Sequence, residues 1–267
     1  MRRILLFVFL VVFGFAMALP FLWMLNLSFK TQVEINRANT ILPTVWTIQN
    51  YVKVFTVAPI LYWFRNSVVV TGAATVIVLF TSSIVGFVFA KFIFRFKSLF
   101  FWFLLATMMV PAQTTMIPSF LLINWLGLYD KLTALIVPGM VGGFGIFLCR
   151  QFIEDIPDSL CEAAVIDGAG AFYIYSRIII PLIRPAIGAL AIFTSLGYWN
   201  DYLNPLLYLN KTQNMTLSLA ISFFSSQRQA DIGAIMAAAT MVMLPIMILF
   251  LIFQKQFIKS IAIAGMK

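Results

Sequence analysis

The sequence contains no histidine among its 267 residues, which removes the commonest general base and the commonest metal ligand. Its two cysteines, Cys149 and Cys161, have neither CxxC spacing nor a histidine nearby. They read as small apolar or loop residues rather than a disulfide framework or a metal site. Charge is scarce as well: 10% of the residues are Asp, Glu, Lys or Arg, against about 25% in a soluble domain. A phosphate-binding GxxxxGK loop followed by Ser or Thr is missing, so any ATP-driven work would need an engine on another polypeptide. There is no internal repeat, no low-complexity tract, no disordered tail and no ten-residue alternation of a membrane barrel strand. The formal net charge is +9. Its Lys and Arg residues nevertheless lie scattered at the ends of apolar runs, with no basic patch interleaved with stacking aromatics, which excludes nucleic acid as a good partner.

What the chain has in abundance is apolar surface: 62% of its residues are hydrophobic and its mean hydropathy is +1.00. These values place it among all-α polytopic membrane proteins. Six runs are long enough to cross about 30 Å of hydrocarbon as helices: Ile4–Leu27, Ser67–Phe89, Leu99–Leu122, Leu132–Phe152, Ile183–Tyr202 and Ile232–Phe253. Helices are required because lipid offers free backbone groups no partners. The first run begins with two arginines and contains Ala16-Met17-Ala18, which imitates a signal-peptide cleavage site. Apolar residues continue to Leu27, however, so the expectation is a retained first span. With the N-terminus in the cytoplasm, eleven Lys and Arg residues fall inside (Arg2, Arg3, Lys91, Arg95, Lys97, Arg150, Arg177, Arg184, Lys255, Lys259, Lys267) and seven outside. The bias favours this orientation, with both termini cytoplasmic.

Under that topology the longest outer break runs from Ser28 to Phe64 and carries "IQNYVKVFTVAPILYWF". Its aromatic content suits an interfacial helix or an ordinary connector. The largest inner loop covers about residues 154–181 and holds Glu154, Asp155, Asp158, Glu162 and Asp167, five of the nine acids. At roughly 2.5–3.5 kcal/mol for each acid at a span centre, this loop belongs in water or against another protein. Its pattern is helix, turn, helix. Pro157 suits a first helical turn, with Asp155 or Asp158 near the positive end. Ala163 and Ala164 permit close approach, Gly168 and Gly170 can end a helix, and Pro181 and Pro185 mark the start of the fifth span. A docking helix and a punctuated connector both fit.

Glu162-Ala163-Ala164, then Gly168, then Ile178-Ile179-Ile180-Pro181 with Pro185 following, is similar to the E-A-A…G…I-x-L-P signature of ABC importer permeases. Ile180 replaces the usual Leu, and Cys161 stands where sugar permeases often carry a second acid. The segments "NYVKVF", "RNSVVVT", "VPAQTTMIPSFLLINWLGLYD", "AIFTSLGYWNDYLNPLLYL" and "FQKQFIKSIAIAGMK" resemble the maltose-type second permease family of carbohydrate importers over nearly the whole chain. The resemblance implies a single permease domain of the type I ABC importer fold, without catalysis of its own, in a bacterial or archaeal plasma (inner) membrane. It further implies a second permease as a heterodimeric partner, two cytoplasmic ATPases that use ATP and Mg, an extracytoplasmic sugar-binding protein, and no cofactor bound by this chain. Carried onto the matching positions, Glu162, Ala163, Ala164, Asp167, Gly168, Ala169, Pro181 and Pro185 form the ATPase-docking loop, and Gly265 is a bend in a tail that reaches the ATPases.

Polar groups beside aromatic faces suit a sugar path. In the fifth span and beyond, Ser195, Tyr198, Trp199, Asn200, Asp201 and Asn204 cluster toward the outer half. Asp201 equally suits a pair with Arg65 or Arg228, and Trp199 and Tyr202 equally suit the aromatic belt. Gln113 and Thr114, with Thr115 beside Pro111, are a weaker group, since polar residues also join helices. Two other functions compete. An ion-coupled secondary transporter would want mid-membrane carboxylates and internal repeats; a non-transporting scaffold would leave sugar uptake intact on deletion.

Overall fold

A computed structural model describes residues 2–37, 40–226 and 231–264. Its helices, in chain order, are α1 (Arg2–Ser28), α2 (Gln32–Arg37), α3 (Gln49–Val57), α4 (Ile60–Lys91), α5 (Lys97–Met109), α6 (Ala112–Trp125), α7 (Thr133–Gly139), α8 (Gly143–Glu154), α9 (Asp158–Ile166), α10 (Ala171–Leu182), α11 (Arg184–Trp199), α12 (Leu203–Tyr208), α13 (Ala220–Ser225) and α14 (Ile232–Ala264). No strand occurs among the described residues.

Two helices are long enough and apolar enough to cross a membrane alone: Arg3–Ser28 within α1, and α4. At 1.5 Å per residue, the 32 residues of α4 reach about 48 Å. Three further runs are bent pairs. The expected span Leu99–Leu122 falls on α5 and α6, which meet at 101°. Val110 precedes Pro111 and is extended (φ −78°, ψ 119°), so the helix stops there. The run Leu132–Phe152 falls on α7 and α8, bent by 44° around an extended Gly142. The run Ile183–Tyr202 coincides with α11, which α10 meets at 79°. Pro181 and Pro185 have no N–H to donate, so the ladder is broken on both sides of Ile183. Among the described residues this makes two to five crossings, with Ile232–Ile248, the first part of α14, a shorter apolar stretch.

The chain divides into two compact units. The first comprises residues 1–64 and 216–248. Here α1 exposes its apolar side chains along its length, Ile4 and Phe7 among them. The rest of this unit is held by polar pins. Buried Asn50 on α3 donates its amide to Ser28 O and Lys30 O, both at 2.8 Å. Gly233 at the start of α14 lies against that amide, leaving no room for a Cβ. Lys53 pairs with Asp231, and the fully buried Trp63 meets Phe223 edge-on at 5.2 Å. The aromatic segment expected as an interfacial helix or a connector thus contains a helix, α3, with Asn50 and Val54 turned inward.

The second unit comprises residues 65–215 and 249–267. Its main core joins α4, α8, α10 and α11 through Phe87, Cys149, Ile153, Tyr175, Ile179 and Leu190. Small residues let these helices meet: a Cβ on Gly86 would stand 2.8 Å from Cys149 Cβ and 2.9 Å from the backbone N of Arg150. Inside α10, residues Ile174–Ile179 wind as a π-helix, a wide turn often found at functional sites. It places the Tyr175 hydroxyl 2.7 Å from Ser83 Oγ. A smaller core gathers Val70, Ile123, Ala134, Leu135, Tyr208 and Leu209.

Candidate functional site

The acidic loop is built on this second unit. Lys91, the last residue of α4, buries its side chain and donates to Ile156 O (2.5 Å) and Asp158 Oδ1 (2.6 Å). Its ammonium holds the Asp158 carboxyl below the ordinary aspartate range. Pro157 is the extended N-cap residue of α9, and Asp158 opens the first turn, where a carboxylate meets the positive end of the helix. Cys161 and Ala164 face inward against the core, joined by Ala169. Outward, α9 presents Glu162 and Ala163 together with Leu160, Val165 and Ile166, the last 85% exposed.

The end of α9 is a complete Schellman motif: Ala169 N donates to Ala164 O (2.9 Å) and Gly168 N to Val165 O (3.0 Å). Gly168 has φ +84°, and a Cβ there would meet nothing within 4 Å. Its requirement for glycine is therefore conformational and not steric. Gly170 is extended and starts α10, so only Gly168 of the two glycines ends the helix. Of the alanine pair, Ala163 faces out and Ala164 is half-buried. Asp167 is exposed at the C-cap, Pro181 half-buried, Pro185 exposed. Gly265 and Arg228 lie outside the described residues.

The second group of expected residues surrounds a cavity of about 570 Å³, whose lining includes Gly139, Phe144, Tyr198, Asp201, Asn204 and Tyr208. The Tyr198 hydroxyl fills the space that a side chain on Gly139 would need. Asp201 accepts from Asn204 N (3.2 Å) and from Asn204 Nδ2 (2.8 Å), which fixes the start of α12. The structure thus brings Tyr198, Asp201 and Asn204 together. It turns the others elsewhere: Ser195 Oγ donates to Ile192 O (3.1 Å), Asn200 Nδ2 to Leu196 O (3.0 Å), and Trp199 is buried. Gln113 and Thr114 are exposed at the start of α6, where Thr114 Oγ1 donates to Pro111 O (2.7 Å).

Sequence reasoning missed the Lys91 anchor, since nothing local links it to a loop 65 residues on. It also missed that α9 leaves Leu160, Val165 and Ile166 exposed, because at 3.6 residues per turn their spacing spreads them around the helix and marks no single face. An acid in place of Cys161 would rest on an apolar core, a physical reason for the departure there.

The chain is thus a set of membrane-type apolar helices that carries a capped helical loop and a largely apolar cavity with a few polar groups, Asp201 and Asn204 among them. Residues 82–263 match the family model of the binding-protein-dependent transport system inner membrane component, and the chain belongs to that family. It is 30% identical over 257 residues to the diacetylchitobiose uptake system permease protein NgcG of Streptomyces coelicolor, covering 95% of this chain and 85% of that one. It is 35% identical over 171 residues to the arabinooligosaccharides transport system permease protein AraQ of Bacillus subtilis. That match covers 64% of this chain and 61% of AraQ, so the chain spans about three fifths of that relative's length. The fold is shared with a chain of a bacterial ABC transporter involved in the import of the acidic polysaccharide alginate. There the TM-score is 0.84 at 22% identity, over 94% of this chain and 95% of the other.

Proposed function

We propose that this chain is the permease subunit of an ATP-driven sugar importer, spanning the membrane six times with both termini in the cytoplasm. It forms half of the translocation path and couples to a separate ATPase through α9 and the turn that follows. ATP and Mg2+ are used by two partner ATPases and not by this chain. A second permease supplies the other half of the path, and an extracytoplasmic binding protein delivers the sugar. Such an account is supported by relatives named for oligosaccharide uptake.

The observation that carries the reading is α9 itself. A nine-residue helix holds its inner face on a packed core and its ends by a lysine anchor and a Schellman turn, yet leaves Leu160, Val165 and Ile166 bare. A rigid support beneath exposed apolar side chains suits transmission of force from a docked partner. Gly168, Asp167 and Ala169 would hold the turn, and Glu162 and Ala163 would meet the partner. Pro181 and Pro185 would fix the loop to the path. Nucleotide would act by stabilising one ATPase arrangement, which the loop ties to one permease state.

The test is sugar uptake and ATP hydrolysis measured together in vesicles holding the full complex. Gly168→Asp and Glu162→Lys are expected to leave the chain in the membrane and to separate hydrolysis from uptake. Native coupling in both variants would overturn the assignment.

A further inference from the structure

Asp130 is the unusual residue outside the loop. It lies between α6 and α7, it is not a glycine, and it has φ +58°, a left-handed conformation that Asp and Asn tolerate better than most residues. Every polar group it owns goes to one segment, residues 208–214. Its N–H donates to Tyr208 O (2.8 Å). Its Oδ1 accepts from the backbone N–H of Asn210 (3.0 Å) and of Lys211 (2.9 Å). Its carbonyl accepts from Asn214 Nδ2 (2.7 Å). The Lys211 ammonium stands farther off, 3.8 Å from Oδ2, on a side chain 77% exposed. Burial opposes ionisation of Asp130, but the two backbone N–H groups and Asn214 outweigh it and keep its carboxyl below the ordinary range. A second pin lies on the same segment: Asn66, buried on α4, donates to Gln213 O (2.8 Å) and Met215 O (2.9 Å).

What this segment holds is the wall of the cavity. It continues directly from α12, whose Asn204 and Tyr208 line the space, while α7 begins three residues after Asp130 and contributes Ala134, Leu135 and Gly139 to the same lining. Ala134, Leu135 and Tyr208 pack in one small core. Asp130 therefore sits at the junction of two walls.

We propose that Asp130 is a positioning residue that sets the width and shape of the cavity by clamping α12 to the start of α7. The importance of that shape for transport rests on the reading of the cavity as part of the sugar path. Asp130 touches no substrate. It acts by holding Asn204 and Tyr208 in register with α7, and its carboxylate accepts two adjacent N–H groups with charge-assisted strength.

The experiment uses the full complex, with Cys149 and Cys161 replaced by Ser and a single cysteine introduced at Thr194 in the cavity lining. The readout is the rate of modification by a methanethiosulfonate ethylammonium reagent. Asp130→Ala removes the acceptor and puts a Cβ without a local hydrogen bond at positive φ; the labelling rate is expected to change by at least about threefold. Asp130→Asn keeps the acceptor and the permitted backbone conformation and is expected to stay within about twofold of the parent. Lys211→Ala keeps the backbone N–H and is expected to do the same. An unchanged rate in Asp130→Ala, or equal changes in Asp130→Ala and Asp130→Asn, overturns the clamp. The path reading is tested separately by Gly197→Trp, which fills the cavity. Full uptake of radiolabelled maltotriose or arabinotriose in that variant would sink the path reading while the labelling result still judged the clamp.

Discussion

Ile166→Ser probes the proposed docking surface with the least disturbance to the chain that carries it. Ile166 is 85% exposed and is the last residue of α9. Within this chain it has almost no burial to lose, and its backbone keeps the same cap. The expected change in the stability of the isolated subunit is within about 0.5 kcal/mol, as for other surface substitutions. If Ile166 seats in an ATPase cleft, it loses instead the transfer of a whole isoleucine from water, about 1.5–3 kcal/mol. That corresponds to roughly tenfold to 150-fold in association. Titration of the purified ATPase against the permease in detergent reads this directly, with uptake in vesicles as the second measure. Ala164→Asp provides the contrast. Ala164 packs on the core, so a carboxylate there should lower the yield of folded subunit before any partner is added. An ATPase affinity within twofold of native for Ile166→Ser, and for Leu160→Ser and Val165→Ser alongside it, would refute the reasoning.

Two other predictions concern the support beneath that surface. Gly86→Val should destabilise the subunit by about 1–3 kcal/mol or more, since even its Cβ would stand 2.8–2.9 Å from Cys149 and the Arg150 backbone; a thermal melt in detergent checks this, and Gly86→Ala should show a smaller loss. The Asp158 carboxyl has its pKa lowered by Lys91 in the folded protein. Its contribution is therefore fully present above the unfolded value, near pH 4, and fades as pH falls through the lower folded value. Melting temperature should fall on acidification below about pH 4 more steeply in the parent than in Asp158→Asn, and equal slopes in the two would contradict the pairing.

Much of the molecule can be read without its coordinates, where the cause is local. Apolar runs of about 20 residues dictate helices because lipid leaves the backbone no other partner, and α1 and α4 contain the first two runs read in this way. The turn after α9 is legible for the same reason. Glycine at position 168 is the residue that takes φ +84° at little cost, and that conformation closes the Schellman bonds. Proline is legible only in part. Pro111 announces a break, but a mild kink within one crossing and a 101° turn between α5 and α6 satisfy the same local rule.

The remaining features come from residues far apart in the chain. Lys91 reads as one more basic residue at the end of an apolar run until it is seen holding Ile156 and Asp158. Asp130 reads as an ordinary loop acid until its carboxylate is found on the N–H groups of Asn210 and Lys211. The polar set around the fifth span looks uniform, yet only Tyr198, Asp201 and Asn204 of it face the cavity. A periodicity of 3.6 residues decides which side chains share a face of a helix. Which face meets a neighbour, and which is left open for a partner, is decided by packing among helices that are distant in sequence. Composition and spacing therefore determined a helical membrane protein with a capped loop, while tertiary packing alone decided what anchors that loop and what shapes the cavity.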